Sequence, residues 1–169
     1  MSADLVYSPE PLGSDHETDG FDCGIASLND YLATRALSDQ KASKSRTYVI
    51  ARGRHVVGYF SMTAASVEPR DTTGRAAKGQ GTQAIPAVLI GRFAIARSEE
   101  GHGLGSALLV EALRKAAAAA DTIGVRVVLV DALNEEVRKL YVRHGFEASP
   151  TDSLHLMMLM KDVRRTLGS

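Results

Sequence analysis

The stretch that decides the fold is Glu100-Gly-His-Gly-Leu-Gly105, set between the apolar run Ala87-Val-Leu-Ile-Gly-Arg-Phe-Ala-Ile-Ala96 and Ser106-Ala-Leu-Leu-Val-Glu-Ala-Leu-Arg-Lys-Ala-Ala-Ala-Ala-Ala120. The first run carries one charge and is expected as a buried central strand. The second is strongly helical in composition. Helix starts leave backbone N–H groups unpaired and carry a partial positive charge, and glycines let that backbone approach a phosphate closely. A phosphate-bearing cofactor is therefore implied, although glycines before a helix also make ordinary tight turns. The Gly-x-Gly-x-Gly spacing differs from the dinucleotide fingerprint Gly-x-Gly-x-x-Gly, and the Gly-Lys-Ser/Thr of a Walker loop is missing.

Outward from this unit, Gly124 stops the helix and Val125-Arg-Val-Val-Leu-Val130 reads as a second buried strand. Asn134 is placed to cap a short helix, Glu135 to Arg143, that ends at Gly145, and Leu154–Met160 is expected as the closing strand. Towards the N-terminus, Ile25 to Ala42 has near-helical apolar spacing and is expected as one amphipathic helix. Tyr48–Ala51 and Val56–Met62 flank Arg52-Gly-Arg-His55 as in a hairpin. Residues 69–86 are rich in Gly, Thr, Lys and Arg and are expected as a flexible loop. The order of elements predicts an α/β domain around a mixed sheet.

With 169 residues, 44% hydrophobic and 24% charged, the chain suffices for one globular domain with a real core. Neither a membrane span nor a secretion signal is evident, so a soluble cytoplasmic protein is expected. Cys23 is the single cysteine, which excludes an internal disulfide and a Cys-rich zinc site. It reads as a core or turn residue. Twenty bases balance twenty acids, but unevenly. Residues 1–32 hold seven acids and no Lys or Arg, whereas residues 33–97 hold eleven bases against Asp39, Glu68 and Asp71. Either these are solvated faces that cluster, or the basic middle meets an anionic partner.

Asn134 and Tyr141 are seven residues apart, close to two helical turns, so they share one helix face. The glycine loop followed by Asn134…Tyr141-Val-Arg-His-Gly145-Phe146 resembles the GCN5-related N-acetyltransferase (GNAT) superfamily. The resemblance implies a single domain over 1–169, α/β or in some schemes α+β, with a central, mixed and splayed sheet flanked by helices. It also implies acetyl-CoA as co-substrate and no metal. The backbone of Phe93, Ala94 and Ile95 would hold the acetyl carbonyl and pantetheine arm. The amides of Gly101, His102, Gly103, Leu104, Gly105 and Ser106 would bind the pyrophosphate, and Asn134 would help to hold the pantetheine or phosphates. Tyr141 would be the general acid: direct attack of an amine on a thioester expels a thiolate, which a phenol hydroxyl can protonate. Glu100 departs from the Gln or Arg common in the family. It either points to solvent or reduces affinity, with Arg97 and His102 offsetting its charge. His102 also reads as a plain exposed loop residue.

Phe21-Asp-Cys-Gly24, Leu28–Leu32, Val57–Met62, Ile85–Ile95 and Val130-Asp-Ala132 further resemble the acetyltransferase toxins of bacterial toxin-antitoxin pairs. This resemblance implies acetylation of the α-amino group on aminoacyl-tRNA, translation block, a ribbon-helix-helix antitoxin, and a homodimer. A patch of Lys41, Lys44, Arg46, Arg70, Arg75, Lys78 and Arg92 would then serve the polyanionic RNA. Arg92 reads equally as a structural ion pair. No general base is visible. None is required, since an α-amino group with pKa about 7.7–8.0 is already substantially neutral near pH 7. The alternatives are an acetyltransferase of small amines or protein N-termini, and a non-enzymatic cofactor sensor.

Overall fold

The computed structural model describes residues 5–168. Seven strands form one mixed sheet in the order β1-β2-β3-β4-β5-β7-β6, flanked by helices. The strands are β1 (Leu5–Pro11), β2 (Arg46–Arg52), β3 (His55–Val67), β4 (Ile85–Ile95), β5 (Val127–Asp131), β6 (Glu147–Ala148) and β7 (His155–Leu159). The helices are α1 (Ala26–Thr34), α2 (Ala36–Lys41), α3 (Gly74–Ala77), α4 (Leu104–Ala120), α5 (Glu135–Arg143) and α6 (Met160–Thr166). This is the expected GNAT-type α/β architecture. The β1/β2, β2/β3, β5/β7 and β6/β7 pairs are antiparallel. The β4/β5 ladder is parallel, from Ala87↔Val127 to Ile90↔Val130, and β4 itself continues to Ile95. The chain packs as two compact units, Met1–Thr63 with Arg92–Glu111, and Ala64–Gly91 with Ala112–Ser169.

In the first unit the expected helix over 25–42 is two helices. Arg35 leaves the helical backbone (φ −128°), and its N–H closes α1 on the Tyr31 carbonyl at 3.0 Å. The break has a physical return. Ala36 becomes fully buried, and the Gln40 side chain donates to the Leu12 carbonyl (2.8 Å) while accepting from the Thr47 N–H (3.0 Å). The core gathers Phe21, Leu28, Tyr31, Leu32, Val49, Ile50, Tyr59 and Phe60, and each fully buried large apolar side chain contributes about 1.5–3 kcal/mol. The hydroxyl of Tyr59 donates to the Leu28 carbonyl at 2.8 Å, so the buried phenol is satisfied. Gly58 on β3 leaves room for its neighbours: a Cβ there would stand 2.9 Å from Ile50 Cδ1 and from Ile95 Cδ1.

In the second unit the 69–86 segment contains a 3₁₀ turn (Pro69–Asp71) and α3, where only a loop is expected from the sequence. Thr73 caps α3 by accepting from the Ala76 N–H at 3.3 Å. Arg126 then closes the segment. Its Nε donates to the Ala76 carbonyl (2.7 Å), and its Nη2 to those of Lys78 (3.2 Å) and Arg75 (3.4 Å). Ala76 packs in a core of Val67, Ile85, Ala87, Val127, Leu129, Met157 and Leu159. β5 starts at Val127 rather than Val125, and the main chain of Arg126 just before it bonds to Pro86 (2.9 Å) and Met160 (2.8 Å). The chain also runs on past the expected closing strand into α6, and β1 and β6 add strands the apolar pattern does not mark.

Candidate active site

In the first unit β4 leads through a 3₁₀ turn, Arg97–Glu99, into the glycine loop. Glu99 is buried (7% exposed) and pairs with Arg52 of β2, Nε to Oε1, with Nη2 at 3.4 Å from Oε2. This ion pair anchors the turn that delivers the loop, and the sequence reading missed it while singling out its neighbour Glu100. Glu100, Gly101, His102 and Gly103 are all exposed. Gly101 (φ +85°) and Gly103 (φ +72°) lie in the left-handed region, and nothing lies within 4 Å of where a Cβ would stand on either. Leu104 is buried and fixes the start of α4, with Gly105 and Ser106 half-buried on its first turn. An open main-chain loop at a helix N-terminus suits a phosphate. Phe93, Ala94 and Ile95 form the outer end of β4, Ala94 buried and its two neighbours half-buried.

In the second unit α5 carries the other sequence-predicted residues. Asn134 is its N-cap, Oδ1 accepting from the Val137 N–H at 3.0 Å, and Glu135 and Glu136 occupy the positive first turn. Asn134 is exposed, whereas Tyr141 is 2% exposed. The reason for Gly145-Phe146 is visible in the backbone. Gly145 (φ +98°) turns the chain back, the Phe146 N–H donates to the Tyr141 carbonyl at 3.1 Å, and the Phe146 ring packs 5.5 Å from the Tyr141 ring. Burial pushes the Tyr141 phenol well above the ordinary tyrosine range, and the Asp131 carboxylate adds to the rise. Tyr141 thus holds its proton throughout the physiological range. Asp131 itself bonds His155 Nδ1 at 2.5 Å, which raises the imidazole above its usual value.

The basic residues divide by unit. Lys41, Lys44 and Arg46 are exposed where α2 passes into β2. Arg92, half-buried on β4, lies with its guanidinium carbon 3.6 Å from the centroid of the Tyr31 ring. In the second unit Arg70, Arg75 and Lys78 are exposed, but Arg75 is already held by Asp162 (2.9 Å) and Glu147 (3.4 Å). Arg75 and Lys78 border a groove of about 590 Å³ with Arg126, Lys161 and Arg164, three bases that carry no sequence signal of their own. A smaller cavity of about 300 Å³ in the first unit includes Glu17 and Asp22, each answered by a base, His55 (2.9 Å) and Arg97 (3.8 Å). Cys23 is half-buried at the turn before α1, where Asn29 Oδ1 accepts from its N–H. Among the described residues no group of three or more His, Cys, Asp or Glu could hold a metal ion, and no helix is long and apolar enough to cross a membrane.

The acetyltransferase (GNAT) domain model matches residues 43–148, which run from the end of α2 through the glycine loop and α5 to β6. The chain belongs to the GNAT acetyltransferase family. Among relatives of this GNAT chain, a protein of Mycobacterium tuberculosis named tRNA-acetylating toxin is 42% identical over 161 residues, covering 95% of this chain and 96% of that protein. Among solved structures, AtaT complexed with acetyl-methionyl-tRNAfMet aligns with TM-score 0.88 at 27% identity, over 97% of this GNAT chain and 99% of that one. A mutant AtaT toxin bound to the C-terminus of the antitoxin AtaR and acetyl-CoA aligns with TM-score 0.83 at 27% identity, over 98% and 99%.

Proposed function

We propose that this GNAT enzyme is an acetyl-CoA-dependent N-acetyltransferase toxin that acetylates the α-amino group of aminoacyl-tRNA and so stops translation in the cytoplasm. The observation that carries the substrate class is the likeness, over 95% of the chain, to a protein named tRNA-acetylating toxin. AtaT with acetyl-methionyl-tRNAfMet supports it in three dimensions. The antitoxin-bound AtaT supports an antitoxin partner; that this partner is of the ribbon-helix-helix type and that the enzyme is a homodimer are part of the same proposal.

The residues present fit acetyl-CoA. Gly101 and Gly103 keep the loop free of side chains, and the first turn of α4 contributes main-chain amides and a positive end, so the loop from Gly101 to Ser106 binds the pyrophosphate. The main chain of Phe93, Ala94 and Ile95 holds the pantetheine arm in the manner of an added strand. Asn134 contributes at the N-cap of α5. When bound, acetyl-CoA supplies an acetyl group activated as a thioester. Tyr141 retains its proton on Oη, as its raised pKa requires, and donates it where negative charge develops on the leaving sulfur. The acceptor, an α-amino group, is neutral enough near pH 7 to attack without a carboxylate base, and the proton it sheds on forming the amide would pass to water, from which the phenol is reprotonated. Lys41, Lys44, Arg46, Arg75 and Lys78 supply affinity for RNA that does not depend on its sequence.

The test is transfer of labelled acetyl from acetyl-CoA to total aminoacyl-tRNA, with uncharged tRNA and Tyr141→Phe as controls. Label on charged tRNA, with turnover reduced about 10²-fold or more in Tyr141→Phe and acetyl-CoA binding retained, is the expected result. Absence of label from every charged tRNA, with acetyl-CoA bound, would replace this function by acetylation of small amines or protein N-termini.

A further inference from the structure

Arg92 interrupts the apolar strand β4, immediately before Phe93–Ile95, and the sequence alone allows it to be one half of a structural ion pair. The structure removes that explanation. Among the described residues no carboxylate lies within ion-pairing distance of Arg92, and no hydrogen bond to its guanidinium is formed. The group is half-buried, so part of its hydration is lost without a counter-charge in return. What holds it is the face of Tyr31, 3.6 Å away. That ring is itself fixed: Tyr31 is 3% exposed, and its hydroxyl lies 3.2 Å from Asp39 Oδ2 and 3.0 Å from Ser45 Oγ. The nearest carboxylate in this network, Asp39, is shared with Arg35 at 3.8 Å. A guanidinium stacked by one face on a rigid ring keeps its in-plane N–H fork for another acceptor, and that fork matches a phosphate in two-point contact.

We infer that the Tyr31–Arg92 stack is a preformed site for one phosphodiester at the 3′ end of the acceptor RNA, with Arg92 the binding group and Tyr31 the residue that positions it. The inference rests on the aminoacyl-tRNA function proposed above and gives it a point of registration. The diffuse lysines and arginines attract the RNA, whereas this one cation, next to the strand segment assigned to the acetyl group, sets where its charged end lies. The glycine loop already answers the cofactor pyrophosphate with main-chain amides, which leaves Arg92 for the other substrate.

The experiment measures KM and kcat for charged tRNA, the salt dependence of tRNA binding, and acetyl-CoA affinity in Arg92→Gln, Arg92→Lys, Tyr31→Leu and Tyr31→Phe, with a melting curve for each. Arg92→Gln should raise KM for charged tRNA about tenfold or more and lower the salt slope by about one. Arg92→Lys should restore the slope but not the KM, because an ammonium lacks the planar fork. Tyr31→Leu should raise KM with Arg92 intact, and Tyr31→Phe, which keeps the ring face, should largely rescue it. Acetyl-CoA affinity should hold in all four. An unchanged KM and slope in a folded Arg92→Gln would overturn the inference, as would a parallel loss of acetyl-CoA affinity, which would assign Arg92 to the cofactor. Failure of the wild-type enzyme to label any charged tRNA would instead refute the substrate class itself.

Discussion

Replacing Arg126 by Met tests whether one guanidinium organises the 74–80 segment on which Arg75 and Lys78 stand. α3 is a single turn of four residues, far too short to persist alone in water. Its C-terminal carbonyls need donors. Arg126 supplies them fifty residues away in sequence, with the short bond to buried Ala76 (2.7 Å) and the longer ones to Lys78 (3.2 Å) and Arg75 (3.4 Å). A bond from a charged donor contributes about 1.5–3 kcal/mol. The two longer ones go to exposed residues and are largely replaceable by water, so the whole clamp amounts to about 2–3 kcal/mol. For a chain of this size that corresponds to a fall in Tm of about 5–10 °C. Arg126→Met keeps an unbranched apolar stem and removes every side-chain donor. Calorimetry reads the Tm, and amide hydrogen exchange reads the amides of residues 74–80, which should lose protection before the β5 and β7 strands do. A fall of less than about 1 °C with unaltered exchange in that segment would refute the argument, since water would then have replaced all three bonds at no cost.

Two further outcomes follow from the same geometry. Asn134→Ala removes the cap of α5 and should cost about 1 kcal/mol, read from the denaturant midpoint at constant slope. Because the folded-state pKa of His155 is raised by its bond to Asp131, the pair stabilises fully below the ordinary imidazole value near 6.5. That stabilisation is lost as pH rises through the raised value. The Tm difference between wild type and Asp131→Asn should therefore be largest at mildly acidic pH and shrink above neutrality; a difference that grows with pH would contradict the assignment.

The elements that the sequence made legible are those with a strong local pattern. β4, α4 and α5 stand close to their expected bounds, because an uninterrupted apolar run, an alanine-rich helix and an Asn cap closed by Gly145 each carry their own signal. β1 was hidden by Pro9 and Pro11 in an acidic segment, and such residues are tolerated because it is an edge strand. The division between α1 and α2 has no Gly or Pro to announce it; it follows from tertiary bonds made by Gln40. α6 is mostly polar, with Met160 and Val163 its buried residues, too few for a helical period to show. In the candidate site, Tyr141 and the glycine loop were readable because family spacing is local. Glu99 with Arg52, and Tyr31 with Arg92, were not, since each pair joins residues 47 or more positions apart through side chains. Arg75, expected as a contact for RNA, turned out to carry two carboxylate partners of its own.

Gly58 has a further consequence. The tips of Ile50 and Ile95, on strands that are not neighbours, meet over it where a side chain would otherwise stand. Even a methyl group would press on both, and Ile95 closes the segment proposed for the acetyl group. Position 58 is thus a remote throttle. Enlarging it would displace the outer end of β4 without deleting any group proposed to touch either substrate, so the proposed activity would fall in steps rather than be lost at once.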